Sequence, residues 1–431
     1  MEIKRAAAHI SSHRRTVQGS SEMPIDFNRV PCRVPIPETK SLSALTFIAL
    51  LAVTLGVAAG LTFTFWSASA STNAAWFWIC AVGFPVLAWA FICCSWLGYL
   101  DVKRSDAIAH NRACNDVEMA CHTAASAPLT VLGQAWCFSS EPSHAQVSCL
   151  HDGTVKREGR PSAVQADRVV DARWIAIPGR PFAAGNEENE HARHKALLEW
   201  LYGRLFERIG AALRSLPVGS SLDVLVHVSS STKLEWAVQL LEQRICDLRP
   251  DLQLLVTPSR EAIPLFQIDA WLDETAPPFA RLVVSVQLLD AISQELSDGV
   301  AEAGVALLFG PSRGKRQAST LFAHRPAAGT SRDASTIITL ACRWGLCDAE
   351  APLSIWMHGI PESRRASIKR WASSRPTDCH ALEDSVGDCA TTGAWLALAV
   401  ALESVEQNTL PNLVMCVHHD QLVALVCRNN Q

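Results

Sequence analysis

From Ser41 to Leu100 the chain has no Asp, Glu, Lys, Arg or His. No soluble domain needs two consecutive charge-free blocks of this length. The first block, Ser43 to Trp66, is long enough to cross a hydrocarbon core of ~30 Å at ~1.5 Å per residue. The second, Ala75 to Leu100, carries Trp76, Trp78, Trp96 and Tyr99 near its ends, the belt that amphipathic rings form at headgroup level. Only the neutral segment SASASTNA separates the blocks. The expectation is a two-helix membrane hairpin contacting the bilayer through residues 43–66 and 75–100.

A surplus of positive charge is also lacking. Lys and Arg number 38 against 42 Asp and Glu, a formal charge of −4, which excludes the basic surface of a nucleic-acid binder. Fifteen cysteines contain no C-x-x-C pair. In a reducing compartment they read as small buried hydrophobes, not as a disulfide framework. A cleavable signal is excluded because some forty polar residues precede the first apolar block.

What is present orients the hairpin. Lys4, Arg5, Arg14, Arg15, Arg29, Arg33 and Lys40 precede it, and Lys103 and Arg104 follow. The positive-inside tendency then puts both termini in the cytoplasm. Residues 1–40, with Pro24, Pro31, Pro35 and Pro37, read as a disordered or extended tail. Residues 101–180 read as a polar connector (Asp101 to Thr123) followed by a small β-rich subregion (Ala127 to Gly179). Residues 181–431 read as one α/β domain.

Within that domain, Leu197, Leu201, Leu205, Ile209 and Leu213 recur four apart and predict a helix. Strands are expected at Leu222–Val228, Leu252–Val256, Ala280–Val286 and Gly304–Gly310, with helices between. A capping box of Thr232 and Glu235 is expected to open the helix to Ile245, and Ile263–Leu272 to form the next. Further on come STIITLACRW, the strand LSIWMHG, the helix PESRRASIKRWA, the small-residue helix Ala390–Glu403 and a closing hairpin. Single helices between strands imply a layered fold with a buried, mixed sheet. The closing hairpin must be antiparallel.

Few residues offer chemistry. The loop Gly310-Pro-Ser-Arg-Gly314-Lys315-Arg316 falls one residue short of a phosphate loop and puts Arg316 where a Ser or Thr must reach the metal. His191 and His194 share a helix face without a third metal ligand, and their surroundings read as a solvated helix start. Cys342 with Cys347, Cys379 with His380, and Cys416 with His418 and His419 have no matching partners and read mainly as core. No metal or cofactor is implied.

The series ARLVVSVQLLD, AEAGVALLFG, LSIWMHGIPESRRASIKRW and LEDSVGDCATTGAWLALAVALES resembles the second half of a β-ketoacyl-synthase-like domain of the thiolase superfamily, over Leu222 to Cys427. The matches are the turn Ala301-Glu302-Ala303-Gly304, the His358-Gly359 turn before Glu362–Trp371, and Gly387-Asp388 before the small-residue helix. The resemblance implies a thiolase-like layered α/β domain with a mixed sheet. It also implies lost chemistry. Asp388 stands at the family's second catalytic histidine, and Ser259–Pro264, where the nucleophilic cysteine belongs, has none. Only His358 remains. The implied function is a non-catalytic membrane-anchored adaptor with an unidentified protein partner at a bacterial inner membrane. More loosely, the layout resembles adaptor proteins of type VI secretion. The alternative is an acyl-binding or acyl-transferring enzyme using His358 with Cys389 or Cys342.

Overall fold

The computed structural model describes residues 30–38, 43–66, 75–165, 167–274, 276–310, 321–330, 334–351 and 353–429. Two compact units are present, residues 27–121 and, in the described part of the other, 122–429.

In the first unit, helix α1 (Ala44–Phe65) is capped by Ser43, whose Oγ accepts from the Thr46 amide. Helix α2 runs from Ala75 to Ala125, and both helices are long and apolar enough to cross a membrane. The Trp89 indole donates to the Phe47 carbonyl and ties α2 to α1. Two expectations change here. The polar connector expected at residues 101–123 is helical, α2 continuing through it. The cause is composition: this stretch holds no Pro or Gly, and good helix formers sit between its charges. Nor is the tail before α1 free throughout. Arg33 donates to Asn115 and Glu118, and Asn111 bonds the Val34 backbone in both directions. Residues 1–29 and the neutral link 67–74 lie outside the described residues.

The second unit comprises two halves of like strand topology, repeat 1 and repeat 2. Repeat 1 runs β1 (Leu129–Cys137), α3 (Glu187–Arg214), β2 (Ser221–Ser229), α4 (Leu234–Leu248), β3 (Gln253–Ser259), α5 (Gln267–Leu272), β4 (Ala280–Gln287) and β5 (Ala303–Gly310). Repeat 2 runs β6 (Leu321–Ala323), the short β7 (Ala327–Gly329), α6 (Ala334–Trp344), β8 (Leu353–His358), α7 (Glu362–Ser373), β9 (Thr377–Ala381), α8 (Gly393–Asn408), β10 (Asn412–His418) and β11 (Gln421–Asn429). These eleven strands form one mixed sheet in the order β9-β8-β10-β11-β6-β1-β5-β4-β2-β3, with β7 on β11, and Arg160–Pro161 pairs separately with Val169–Val170. Each repeat thus has three parallel strands followed by two antiparallel ones in the same order. The repeats meet where β1 pairs antiparallel with β6.

Alternation along the strands decides which layer each side chain enters. Leu282, Val284, Ala306 and Leu308 face α3 and α4, whereas Val283, Val305, Leu307 and Phe309 face the core around α8. Helix α8 touches β1 and β5 of repeat 1 as well as β8, β10 and β11 of repeat 2, so the sheet folds around it. Every residue from Trp395 to Val405 is buried, as a helix apolar on nearly all sides requires. Helices α6 and α7 pack outside repeat 2.

The expected continuous mixed sheet and central helix are therefore present. Three details differ. Strand β1 lies in mid-sheet between β6 and β5, so the boundary at 180 cuts through one sheet. Its alternating sequence specifies a strand but not its neighbours. The Thr232–Glu235 box does not form: Lys233 holds the cap position and Thr232 bonds Ser230 instead. The helix expected from Ile263 begins only at Gln267, because Pro264 drives Ile263 out of the helical region.

Candidate functional site

Strand β8 is buried along its whole length and delivers His358, its last residue, into the interior at 4% exposure. Gly359 follows with φ +66°, a turn that a residue with a side chain takes only under strain. The Gly359 amide donates to Glu383, which also bonds Arg365 at 2.8 Å. Arg365 in turn holds the Ile360 carbonyl and Asp384. His358 Nδ1 lies 3.4 Å from Glu383 Oε1 and Nε2 lies 3.6 Å from Asp388 Oδ1. Among the described residues Nδ1 has no hydrogen-bond partner.

Asp388 is held by the other repeat. Its amide donates to the Gly299 carbonyl at 2.6 Å and its carbonyl accepts from Ala301 at 2.8 Å. Its side chain accepts from the Ala390 amide. The turn into α8 is pinned to β4, with Thr392 bonded to Ser285 and Thr391 to Gln287. Gly393 is required beneath the imidazole, since a Cβ there would sit 1.9 Å from His358 Nε2. An imidazole between two carboxylates is suited to hydrogen-bonding or ion pairing. It is poorly suited to steadying an oxyanion, which needs converging donors.

The structure separates the other candidates. Cys389 follows Asp388, but its thiol is fully buried, donates to the Gly387 carbonyl at 3.7 Å, and is pushed far up by burial and by Asp388. Among the described residues no thiol hydrogen-bonds to His358. Cys342 sits on α6 in the outer layer, where the Cys347 thiol and burial raise it. Segment Ser259–Pro264 supplies backbone: the Ile263 carbonyl accepts the Trp395 indole at 2.7 Å. Beside it Pro264, Phe266 and Gln267 line a cleft of about 410 Å³ with His418, His419 and Gln421. Burial and the neighbouring His419 lower His418. Cys416 lies on β10 with its thiol pushed up to about 12 by burial. His380 stacks on Trp356 and is lowered to about 4 by burial and His151. Burial raises Cys379 to about 11. Residues 311–316 of the glycine-rich loop lie outside the described residues.

His191 and His194 require a correction. The α3 start is not solvated around His194, which is fully buried. Its Nδ1 accepts from the Ser231 amide at 2.9 Å, so Nε2 carries the proton and donates to the Leu289 carbonyl. Neither nitrogen is free for a metal. The same cluster contains residues whose ionic role the sequence did not show. Arg193 bonds Glu190 and both oxygens of Glu302, all 2% exposed or less. The remaining carboxylate valences take the amides of Ile175, Leu289, Ile292 and Ser293. The Glu190–Arg193 spacing at i, i+3 was the available signal; Glu302, buried from within an apolar run, was its hidden partner.

No family model and no curated protein sequence matches this chain. Solved structures do. A type II polyketide ketosynthase in complex with its acyl-carrier protein is 10% identical at TM-score 0.46, covering 70% of this chain and 99% of its own. The ishigamide ketosynthase/chain length factor is 14% identical at TM-score 0.42, covering 70% and 99%. OleA of Xanthomonas campestris is 8% identical at TM-score 0.42, covering 70% and 98%.

Proposed function

We propose that this chain is a membrane-anchored binding protein whose two-repeat α/β domain is a thiolase-like domain holding a protein partner without condensation chemistry. The carrying observation is the surroundings of His358: two carboxylates where a thiolate and a second donor would be needed. A Claisen condensation requires a low-pKa thiolate, and helix N-termini or cationic neighbours provide one. Burial and Asp388 act in the opposite direction on Cys389. The segment at the nucleophile position holds no cysteine, and its Ser259 hydroxyl donates to the Glu261 carbonyl. Helices α1 and α2 would anchor the chain in a bacterial inner membrane with both termini cytoplasmic, as the basic flanks favour. In the narrower form of this reading, the partner belongs to a type VI secretion apparatus.

The test is complementation of a deletion strain with His358→Ala at wild-type protein level. Full activity is expected; loss of activity from that substitution alone would restore the acyl-enzyme reading. Affinity capture of the full chain from detergent-solubilised membranes should recover a stoichiometric partner. Reporters fused before Met1 and after Gln431 should both report a cytoplasmic position.

A further inference from the structure

Residues 138–186, inserted between β1 and α3, carry a feature that the binding-protein reading does not use. They supply most of the wall of a cavity of about 90 Å³, about three times the volume of a water molecule in the liquid. Lys156, Arg157, Arg160 and Arg173 line it, against Glu141, Glu158 and Asp171. Two of those carboxylates are engaged: Asp171 lies 3.4 Å from Arg157, and Glu141 lies 3.4 Å from His144. Arg173 is 7% exposed. Its Nη2 donates to the carbonyls of Lys156 and Ser385, while Nε is buried without a partner and Nη1 has none among the described residues. A buried guanidinium with unused donors is costly unless something answers it. Burial and then Arg160 lower its affinity for the proton, while Glu158, Cys389 and Glu141 act the other way; its guanidinium also lies 5.4 Å from the Phe138 ring.

We propose that this cavity is a binding site for a phosphate-class oxyanion, with Arg173 as its floor and Lys156 and Arg160 at its walls. A tetrahedral oxyanion fits the volume, and Arg and Lys are the side chains that bind it. Arg173 also bonds Ser385, and its amide bonds Val300. The floor of the site is therefore already tied to the loop that leads to Asp388.

The experiment is calorimetric titration of the full-length protein in a phosphate-free detergent, at low ionic strength, with inorganic phosphate and with phenyl phosphate. Saturable binding of inorganic phosphate is expected, weakening as salt rises. Tighter binding of phenyl phosphate would assign the site to a phosphomonoester; weaker binding would assign it to the free ion. Arg173→Gln should weaken binding about tenfold or more, the effect of losing a charge-assisted hydrogen bond. Because Arg173 also bonds backbone, Lys156→Gln provides the control: its amine has no partner among the described residues, so melting should stay unchanged while affinity falls. Absence of saturable binding in the wild type, or binding unchanged in both variants, would overturn the proposal.

Discussion

Repeat 1 and repeat 2 lay down their strands in one order, yet α5 has six residues where α8 has sixteen. Both helices occupy the central layer, and Trp271 of α5 stacks on Trp395 of α8 at 6.1 Å. The space between the folded halves of the sheet is filled mostly by α8, with its Ala, Leu and Val on all sides. Helix α5 is cut short behind Pro264, and the cleft beside His418 and His419 opens where it is missing. Repeat 1 compensates elsewhere. It carries the long insertion of residues 138–186 and the buried Glu190–Arg193–Glu302 cluster, whereas α6 and β11 in repeat 2 pack so tightly that a Cβ at Gly345 would meet Val426 at 2.5 Å. A repeated topology therefore fixes strand order and leaves the means of holding each half open.

The largest expected effect comes from breaking the ionic cluster of repeat 1. Arg193→Met leaves two buried carboxylates without their cation and should cost about 3–5 kcal/mol. Chemical denaturation of the full chain in detergent measures it. A change below about 1 kcal/mol, the range of exposed ion pairs, would mean that the cluster is not what holds α3 to β5.

Acid should act more on repeat 2, although burial lowers His227 of repeat 1 in the same direction. His324 is 1% exposed and lowered to about 4 by burial and by Arg428. Its unfolded value is 6.5, so the unfolded chain binds the proton more readily. The stability from keeping it neutral is present above about 6.5 and is lost as pH falls towards 4, about 3 kcal/mol in all. His380 adds in the same direction. Stability measured from pH 7 to 4 should fall less steeply in His324→Phe. An unchanged slope would remove this asymmetry between the repeats.

How far these features were legible depends on their range. The amphipathic period of α3 and the all-apolar run of α8 predicted burial because both are local patterns. Strand β1 was misplaced because its partners β5 and β6 lie more than 150 residues away, and alternation names no neighbour. His358 and Asp388 were found through a resemblance, and the contact between Gly393 and the imidazole had no sequence signal at all. Arg173 reads as one more surface Arg until burial is known.

A smaller effect tests that contact. Gly393→Ala should cost about 1–3 kcal/mol, since the new methyl must displace a buried ring. In a His358→Ala background the same substitution should cost almost nothing, because the obstacle is gone. A double-mutant cycle reads the difference. Additive costs would mean that Gly393 serves the helix start and not the imidazole.

The smallest effect should be on biological activity, and repeat 1 supplies its control. His227 near the end of β2 stands as His358 does at the end of β8: each lies on the strand flanked by two parallel neighbours in its repeat and is buried. His227 bonds the Ser259 carbonyl, and burial lowers it. Among the described residues His358 has no hydrogen-bond partner at Nδ1, and its carboxylate neighbours keep other partners without it: Glu383 has Arg365 and the Gly359 amide, and Asp388 has the Ala390 amide. Truncating either ring removes a buried aromatic body and a net hydrogen-bond contribution of at most ~1 kcal/mol. His227→Ala and His358→Ala should therefore lower stability comparably and leave complementation equally intact. If His358→Ala alone abolished activity while both variants melted alike, the two positions would differ in chemistry and the repeats would no longer be equivalent there.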